Sequence, residues 1–230
     1  MARRPLIGLS ATAAAVYLVT QPWQPFPASA GLKGMAMAPL AVLSFLLART
    51  YGRSFVYLGI AQALSCAGDE LLDLNPSYFT LGLAAFLLSH IEYATVWLLY
   101  RPRPFRTTAG RTWLALGVLV YAAALGIWLT PGIGDLSGPV VLYMAAITIM
   151  VVSACISRFP IGVALGAILF LVSDSVLATN KFKFPVPGHD FLIWPTYYAG
   201  QLLMALTTVR ALTQRDKLQA DVRYHTTHTH

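Results

Sequence analysis

The chain has 230 residues, of which 57% are hydrophobic and only 11% are charged. A water-soluble domain usually carries about 25% charged residues, so this composition excludes a soluble globular protein as well as a disordered or coiled-coil chain. The formal net charge of +7 does not indicate nucleic-acid binding, because the basic residues lie between apolar runs and no basic stripe with interleaved aromatic residues occurs. The composition therefore predicts an all-α, multi-pass membrane protein.

Apolar runs recur along the chain at lengths near the roughly 20 residues that a transmembrane helix requires. The predicted spans are residues 5–20, 32–48, 54–72, 79–100, 113–130, 138–156, 161–179 and 191–212. We therefore expect a single domain over residues 1–212, formed by a bundle of eight transmembrane helices, and a polar cytoplasmic tail over residues 213–230.

The distribution of Lys and Arg predicts the orientation of this bundle. Thirteen of the 16 basic residues fall in the N-terminus, every second connection and the C-terminus, whereas the other connections hold only Lys33, Lys181 and Lys183. Since cytoplasmic loops are enriched in Lys and Arg, both termini are predicted to be cytoplasmic, in a bacterial inner membrane. The basic start, the first apolar run and the Ala-Ser-Ala at residues 28–30 resemble a cleavable signal peptide. We expect a retained first helix, because cleavage would leave an odd number of spans.

Ionisable residues within these spans indicate where function lies, because an Asp at mid-helix costs about 2.5–3.5 kcal/mol on insertion. Asp69 and Asp73 lie four residues apart on the third span, and Asp174 lies within the seventh. The fourth span carries a polar and aromatic stripe at helical spacing that includes His90 and Tyr93. At about 1.5 Å per residue, these side chains fall in one slab between the middle of the membrane and its outer third. The predicted catalytic residues are Asp69, Asp174, His90 and Tyr93.

Further polar side chains lie at or above this slab and are candidates for binding a substrate: Lys33, Tyr143, Ser173, Asn180, Tyr197, Tyr198 and Gln201. Structural alternatives stay open for several of these residues. Tyr93, Tyr143, Tyr197 and Tyr198 can pack in the bundle or lie at the membrane interface. Asp69 can pair with Lys33 at a helix end, His90 can be a hydrogen-bonded core residue, and Gln201 can join two helices. Asn180, Lys181 and Lys183 can hold a phosphate at the outer end or anchor the helix at the interface. Gly162 and Gly166 predict close helix packing.

The order of these short motifs resembles the YhhN family of transmembrane lysoplasmalogenases. The matching residues are Gly68-Asp69, Phe79, Gly82, Phe86, His90, Tyr93, Tyr143, Gly166, Phe170, Ser173-Asp174-Ser175, Tyr197-Tyr198 and Gln201. The resemblance implies hydrolysis of the vinyl ether bond of a lysoplasmalogen, a lysophospholipid within the bilayer, to a fatty aldehyde and a glycerophospho-base.

Vinyl ether hydrolysis requires one carboxylic acid that holds its proton and an ionised carboxylate near the developing cation. Burial and a neighbouring negative charge can keep one of two acids protonated, so Asp69 and Asp174 are expected to divide these roles within one apolar cavity facing the outer leaflet. A divalent metal held by Asp69, His90 and Asp174 is the mechanistic alternative. We predict no metal and no other cofactor, because the chain has one mid-membrane His and lacks an HExxH-like pair.

A proton-coupled transporter or lipid translocator is the alternative function, because buried Asp and His residues also serve as proton relays. The sequence shows neither an inverted repeat nor a helix broken at mid-span by proline, which are features of many transporters.

Overall fold

A computed structural model of the chain describes residues 3–23, 28–100 and 107–228; of residues 217 and 219–228 it describes the backbone. The described residues form α-helices and short 3₁₀ turns and contain no β-strand. The helices are α1 (Arg3–Thr20), α2 (Ser29–Tyr51), α3 (Arg53–Leu74), α4 (Phe79–Leu99), α5 (Ala109–Ile133), α6 (Ser137–Ile156), α7 (Ile161–Phe182) and α8 (His189–His228). The predicted all-α class is confirmed.

Five helical segments within the described residues are long and apolar enough to cross a membrane. They are Arg3–Trp23, Ser29–Tyr51, Pro76–Leu99, Ala109–Ile156, which contains both α5 and α6, and Ile161–Phe182. This indicates a multi-pass membrane protein, while the count of eight spans and the cytoplasmic termini stay predictions. The basic residues Arg101, Arg103 and Arg106 of the predicted fourth connection lie outside the described residues.

Consecutive helices pack side by side from α1 to α4, and α4 then packs on α6, so α5 lies against α6 at the periphery. One residue, Gly52, separates α2 from α3; its φ of 85° lies in the left-handed region, which a side chain rarely adopts. Together with α7 and α8, these helices surround the slab of polar side chains predicted above.

The predicted close packing of α7 through its glycines is confirmed, with α8 as the partner. A Cβ atom at Gly166 would lie 2.8 Å from the backbone oxygen of Gly200, and one at Gly200 would lie 2.7 Å from the oxygen of Gly166. At Gly162 the nearest atom to such a Cβ would be the Thr207 hydroxyl oxygen, at 2.8 Å. These glycines let the two helix backbones touch, which sets the position of α8.

The first helix contributes to the interior. The Trp194 indole of α8 donates a hydrogen bond to the Ala14 oxygen over 3.0 Å, and the Trp194 ring packs on Tyr17 at 4.4 Å between centroids. At the other end of the chain, α8 does not stop near residue 212 but continues through the predicted polar tail to His228.

Candidate active site

The stripe predicted on α4 forms the buried face of that helix. His90, Tyr93 and Trp97 are 0% exposed, and Phe86 is 6% exposed. Phe86 packs edge-to-face on Phe170 of α7, with 5.9 Å between ring centroids. The predicted helical spacing therefore places four ring-bearing side chains at the centre of the bundle.

Asp174 belongs to a hydrogen-bonded chain of three side chains from α4, α6 and α7. The Tyr143 hydroxyl donates a hydrogen bond to Oδ2 of Asp174, and Nε2 of His90 lies 3.1 Å from the same hydroxyl oxygen. Because the one hydroxyl hydrogen of Tyr143 points to Asp174, His90 must donate from Nε2. His90 is thus in the Nε2–H tautomer, and its Nδ1 atom is buried with no hydrogen-bond partner among the described residues.

Asp69 belongs to a second network, which joins α3, α4 and α8. The Tyr197 hydroxyl donates to Oδ2 of Asp69 over 2.6 Å and accepts a hydrogen bond from Nε2 of Gln201 over 3.3 Å. The Gln201 amide also donates to the Ser65 hydroxyl over 2.9 Å, and its oxygen accepts from Tyr93 over 2.6 Å. Each carboxylate therefore has its own tyrosine donor, and Tyr93 serves the network of Asp69.

Aromatic rings lie between the two networks. Phe170 packs on His90 at 5.0 Å and on Tyr197 at 5.1 Å between centroids, and Phe86 also contacts the Tyr197 ring at 5.9 Å. Rings at these separations are in van der Waals contact, so Phe86 and Phe170 link the two acid–tyrosine pairs through an apolar layer.

A pocket between α4, α5, α6 and α7, called here the α4–α7 pocket, encloses about 590 Å³ of empty space including its opening. Asp174 and Tyr143 are the acid and the phenol among its lining residues, and the remaining lining is almost entirely apolar. Asp69 does not line this pocket and is only 4% exposed. Of the two acids expected to share one cavity, Asp174 lines the α4–α7 pocket and Asp69 does not.

Lys33 binds Asp73 rather than Asp69. The Lys33 ammonium lies 2.6 Å from Oδ1 of Asp73, and the Tyr17 hydroxyl donates to Oδ2 of Asp73 over 3.1 Å. The sequence left open an ion pair between Lys33 and Asp69. The structure instead pairs Lys33 with Asp73, which lies one helical turn further along α3 on the same face.

Three other predicted substrate-binding residues make contacts within the helix bundle. The Tyr198 hydroxyl lies 2.8 Å from the Ser10 hydroxyl of α1. Ser173 donates to the Ile193 oxygen over 3.2 Å, and Asn180 accepts from the Val186 amide over 2.9 Å. These bonds join α1 and α7 to α8 and order the α7–α8 connection. None of these three side chains lines the α4–α7 pocket.

Ser65 and Asp73 are polar partners that the sequence analysis did not assign. The Ser65 hydroxyl accepts a hydrogen bond from the Gln201 amide. Little in the sequence indicated this role, because serine is common in apolar helices. Asp73 carried a clearer signal, since it lies one turn from Asp69. Within the described residues, no three His, Cys, Asp or Glu side chains are grouped so that they can hold a metal ion.

Comparison with known proteins identifies the family of this chain. The YhhN family model matches residues 28–208. The chain belongs to the YhhN family. The resemblance predicted from the short motifs is thus confirmed, and the match covers α2 to α7 and most of the apolar part of α8.

Relatives of this YhhN family member are found in bacteria and mammals. A protein named lysoplasmalogenase from Mycobacterium bovis is 34% identical over 195 residues, which is 77% of this chain and 73% of the relative. The human lysoplasmalogenase TMEM86A is 32% identical over 180 residues, covering 74% of this chain and 70% of the relative. The rat lysoplasmalogenase TMEM86B is 30% identical over 174 residues, covering 75% and 70%. No solved structure matches the chain.

Proposed function

We propose that this protein is a lysoplasmalogenase, an integral-membrane hydrolase that cleaves the vinyl ether bond of lysoplasmalogens to a fatty aldehyde and a glycerophospho-base. Relatives with this name from bacteria and mammals support the activity. The observation that carries the chemistry is the placement of Asp174, a carboxyl group in the largely apolar lining of the α4–α7 pocket. A largely apolar pocket that presents a carboxyl group suits a lipid whose reaction begins with a proton.

Asp174 is the proton donor in this mechanism. Its proton, held on the oxygen that does not accept from Tyr143, moves to the carbon of the vinyl double bond that is remote from the ether oxygen. The resulting oxocarbenium ion takes up water, and the ionised Asp174 receives a proton from that water. The hemiacetal then breaks its carbon–oxygen bond to release the aldehyde and the glycerol hydroxyl, which accounts for all atoms of lipid and water.

Tyr143 and His90 are positioning residues for this acid. As Asp174 loses its proton, the hydrogen bond from Tyr143 strengthens, because a bond to an ionised acceptor is about twice as strong as a neutral one. The His90 N–H holds the Tyr143 hydroxyl in the donating direction. The chain of three side chains thus favours the ionised acid that proton transfer produces.

Asp69 is the second carboxylate of the proposal. Asp69 does not line the α4–α7 pocket, so we assign it a Coulombic role from the packed interior, where charges interact more strongly than in water. Tyr197, Gln201 and Tyr93 keep this carboxylate hydrogen-bonded.

The membrane arrangement belongs to the same proposal. All eight helices, including α3 and α8, span a bacterial inner membrane as one domain, with both termini cytoplasmic. The side-by-side packing of α3 between α2 and α4 and the basic residues of alternate connections support this topology. Reporter fusions at residues 30, 135 and 185 test it, since all three positions are expected on the outer side.

The experiment that tests the activity is aldehyde release by purified protein from a lysoplasmenyl lipid and from the lysoacyl lipid with the same chain and headgroup. We expect release from the lysoplasmenyl lipid alone. Asp174→Asn is expected to lower the rate by about 10²–10⁴-fold, the usual contribution of an acid–base group. Asp69→Asn keeps a hydrogen-bond acceptor for Tyr197 and is expected to lower the rate by about tenfold, through loss of its charge.

Glu92→Gln is the matched control. Glu92 is also an acid on a predicted span, but it does not line the α4–α7 pocket and its Oε2 atom has no partner among the described residues. This variant is expected to keep the wild-type rate. Wild-type turnover by Asp174→Asn would refute the mechanism, and activity on the lysoacyl lipid alone would identify a lysophospholipase instead.

A further inference from the structure

The α4–α7 pocket has one charged end. Phe79, Leu129 and Val140 line it where α4 begins, α5 ends and α6 begins, and at the same level Lys181 lies near the end of α7. Asp174 lies two helical turns further into the pocket on the same face of α7, about 10.5 Å along the helix axis. The pocket therefore places a cation at one level and the acid at another.

Lys181, unlike Lys33, has no carboxylate partner among the described residues. Among the described residues the ion pairs are Lys33 with Asp73 and His189 with Asp190, so the charge of Lys33 is neutralised. The Lys181 ammonium instead lies 4.1 Å from the centroid of the Phe79 ring, and the residue is exposed. A cation held by a ring and left without a counter-ion is suited to an anionic ligand.

We infer that Lys181 binds the phosphate of a single-chain glycerophospholipid and that the lipid chain occupies the α4–α7 pocket. This inference rests on the proposed function and names the residue that positions the substrate. A glycerol backbone separates the phosphate from the vinyl ether by roughly 7 Å, given single bonds of about 1.5 Å. The side chains of Lys181 and Asp174 can span the difference between this length and the roughly 10.5 Å that separates the two residues along α7. With the phosphate at Lys181, the reactive bond therefore lies beside Asp174.

Beyond Asp174 the pocket continues into apolar surface. Leu171 lies about one further turn along α7, and Thr148 lies rather more than one turn beyond Tyr143 on α6. This apolar lining suits the first methylenes of a lipid chain.

The kinetic test compares two lipids that carry the same alkenyl chain, a lysoplasmenyl phospholipid and an alkenylglycerol without phosphate. Lys181→Ala is expected to raise KM for the phospholipid by about tenfold, the effect of one charge-assisted hydrogen bond, and to leave the alkenylglycerol unchanged. Lys181→Arg is expected to restore most of the loss. Lys183→Ala is the matched control, because Lys183 lies 5.2 Å from the Trp128 ring and does not line the pocket. Equal losses on both lipids, or an equal loss in Lys183→Ala, would overturn the inference.

A binding measurement separates this inference from the proposed function. The saturated alkyl-ether lysophospholipid has no vinyl bond to protonate, so its affinity for the purified protein reports the site without the reaction. Lys181-dependent binding by a wild-type protein that releases no aldehyde would refute the activity and support the site. Aldehyde release with Lys181-independent binding would refute the site and support the activity. Displacement of the ether lipid by an equal concentration of inorganic phosphate would also overturn the inferred lipid site, since it would indicate an adventitious anion site.

The chain-binding part is tested by filling the pocket. Ala178 lines it between Asp174 and Lys181, whereas Ala123 is exposed on α5 and lies outside it. Ala178→Phe is expected to weaken binding of the ether lipid by at least about tenfold, and Ala123→Phe is expected to leave binding unchanged. Thermal unfolding of both variants identifies a folding defect. Wild-type affinity in a folded Ala178→Phe protein would show that the chain binds elsewhere.

Discussion

Replacing Tyr143 by Phe tests the hydrogen-bonded chain that the structure forms around Asp174. The change removes one hydroxyl, so Asp174 loses its donor and the His90 N–H loses its acceptor. A hydrogen bond to a charged group is worth about 1.5–3 kcal/mol, which corresponds to roughly 10–100-fold in rate if the bond forms fully only as Asp174 ionises. The unpaired His90 N–H should lower the free energy of unfolding by about 1–3 kcal/mol.

The measurement is the rate of aldehyde release at saturating lipid, together with thermal unfolding. Tyr93→Phe is the matched control, because it also removes one buried hydroxyl but breaks a bond to Gln201 and none to Asp174. We expect both variants to lose stability and Tyr143→Phe to lose far more activity. A Tyr143→Phe protein with the wild-type rate and reduced stability would refute the role of Tyr143 in the reaction.

Two further predictions concern stability. Gly166→Ala should destabilise the protein by about 1–3 kcal/mol, because the added methyl meets the Gly200 backbone. Gly117→Ala, in open space on α5, should be neutral or stabilising. Equal unfolding temperatures for the two variants would contradict this packing. Lys33→Met should destabilise more than the double variant with Asp73→Asn, since the single change leaves a partly buried carboxylate without its cation; additive unfolding free energies would contradict that coupling.

Much of the candidate site could be predicted from local features of the sequence. The stripe on α4 followed from spacing alone, because residues three and four apart share a helix face, and His90, Tyr93 and Trp97 are buried as that spacing requires. The choice of Asp174 as a candidate followed from the cost of placing a carboxyl group in an apolar span. Close packing of α7 followed from its small residues Gly162 and Gly166, while the structure identified α8 as the partner.

The partners of these residues could not be predicted in the same way. Four tyrosines lay at suitable depth, and the sequence offered no basis for assigning Tyr143 to Asp174 and Tyr197 to Asp69, pairs that are 31 and 128 residues apart. Which tyrosine reaches which acid depends on the rotation and register of each helix against its neighbours. A shift of one turn exchanges partners, as the pairing of Lys33 with Asp73 illustrates.

The sequence by itself determined the all-α membrane class, the family and the level in the bundle at which the polar residues lie, because hydropathy, helical period and rise per residue are local properties of the chain. Only the tertiary structure decided that Asp174 lines a mostly apolar pocket with Lys181 at one end, while Asp69 is buried and bonded to Tyr197. The physical reason is that a pocket is the space left between packed helices, here four of them, so its shape and lining depend on how all four helices are placed.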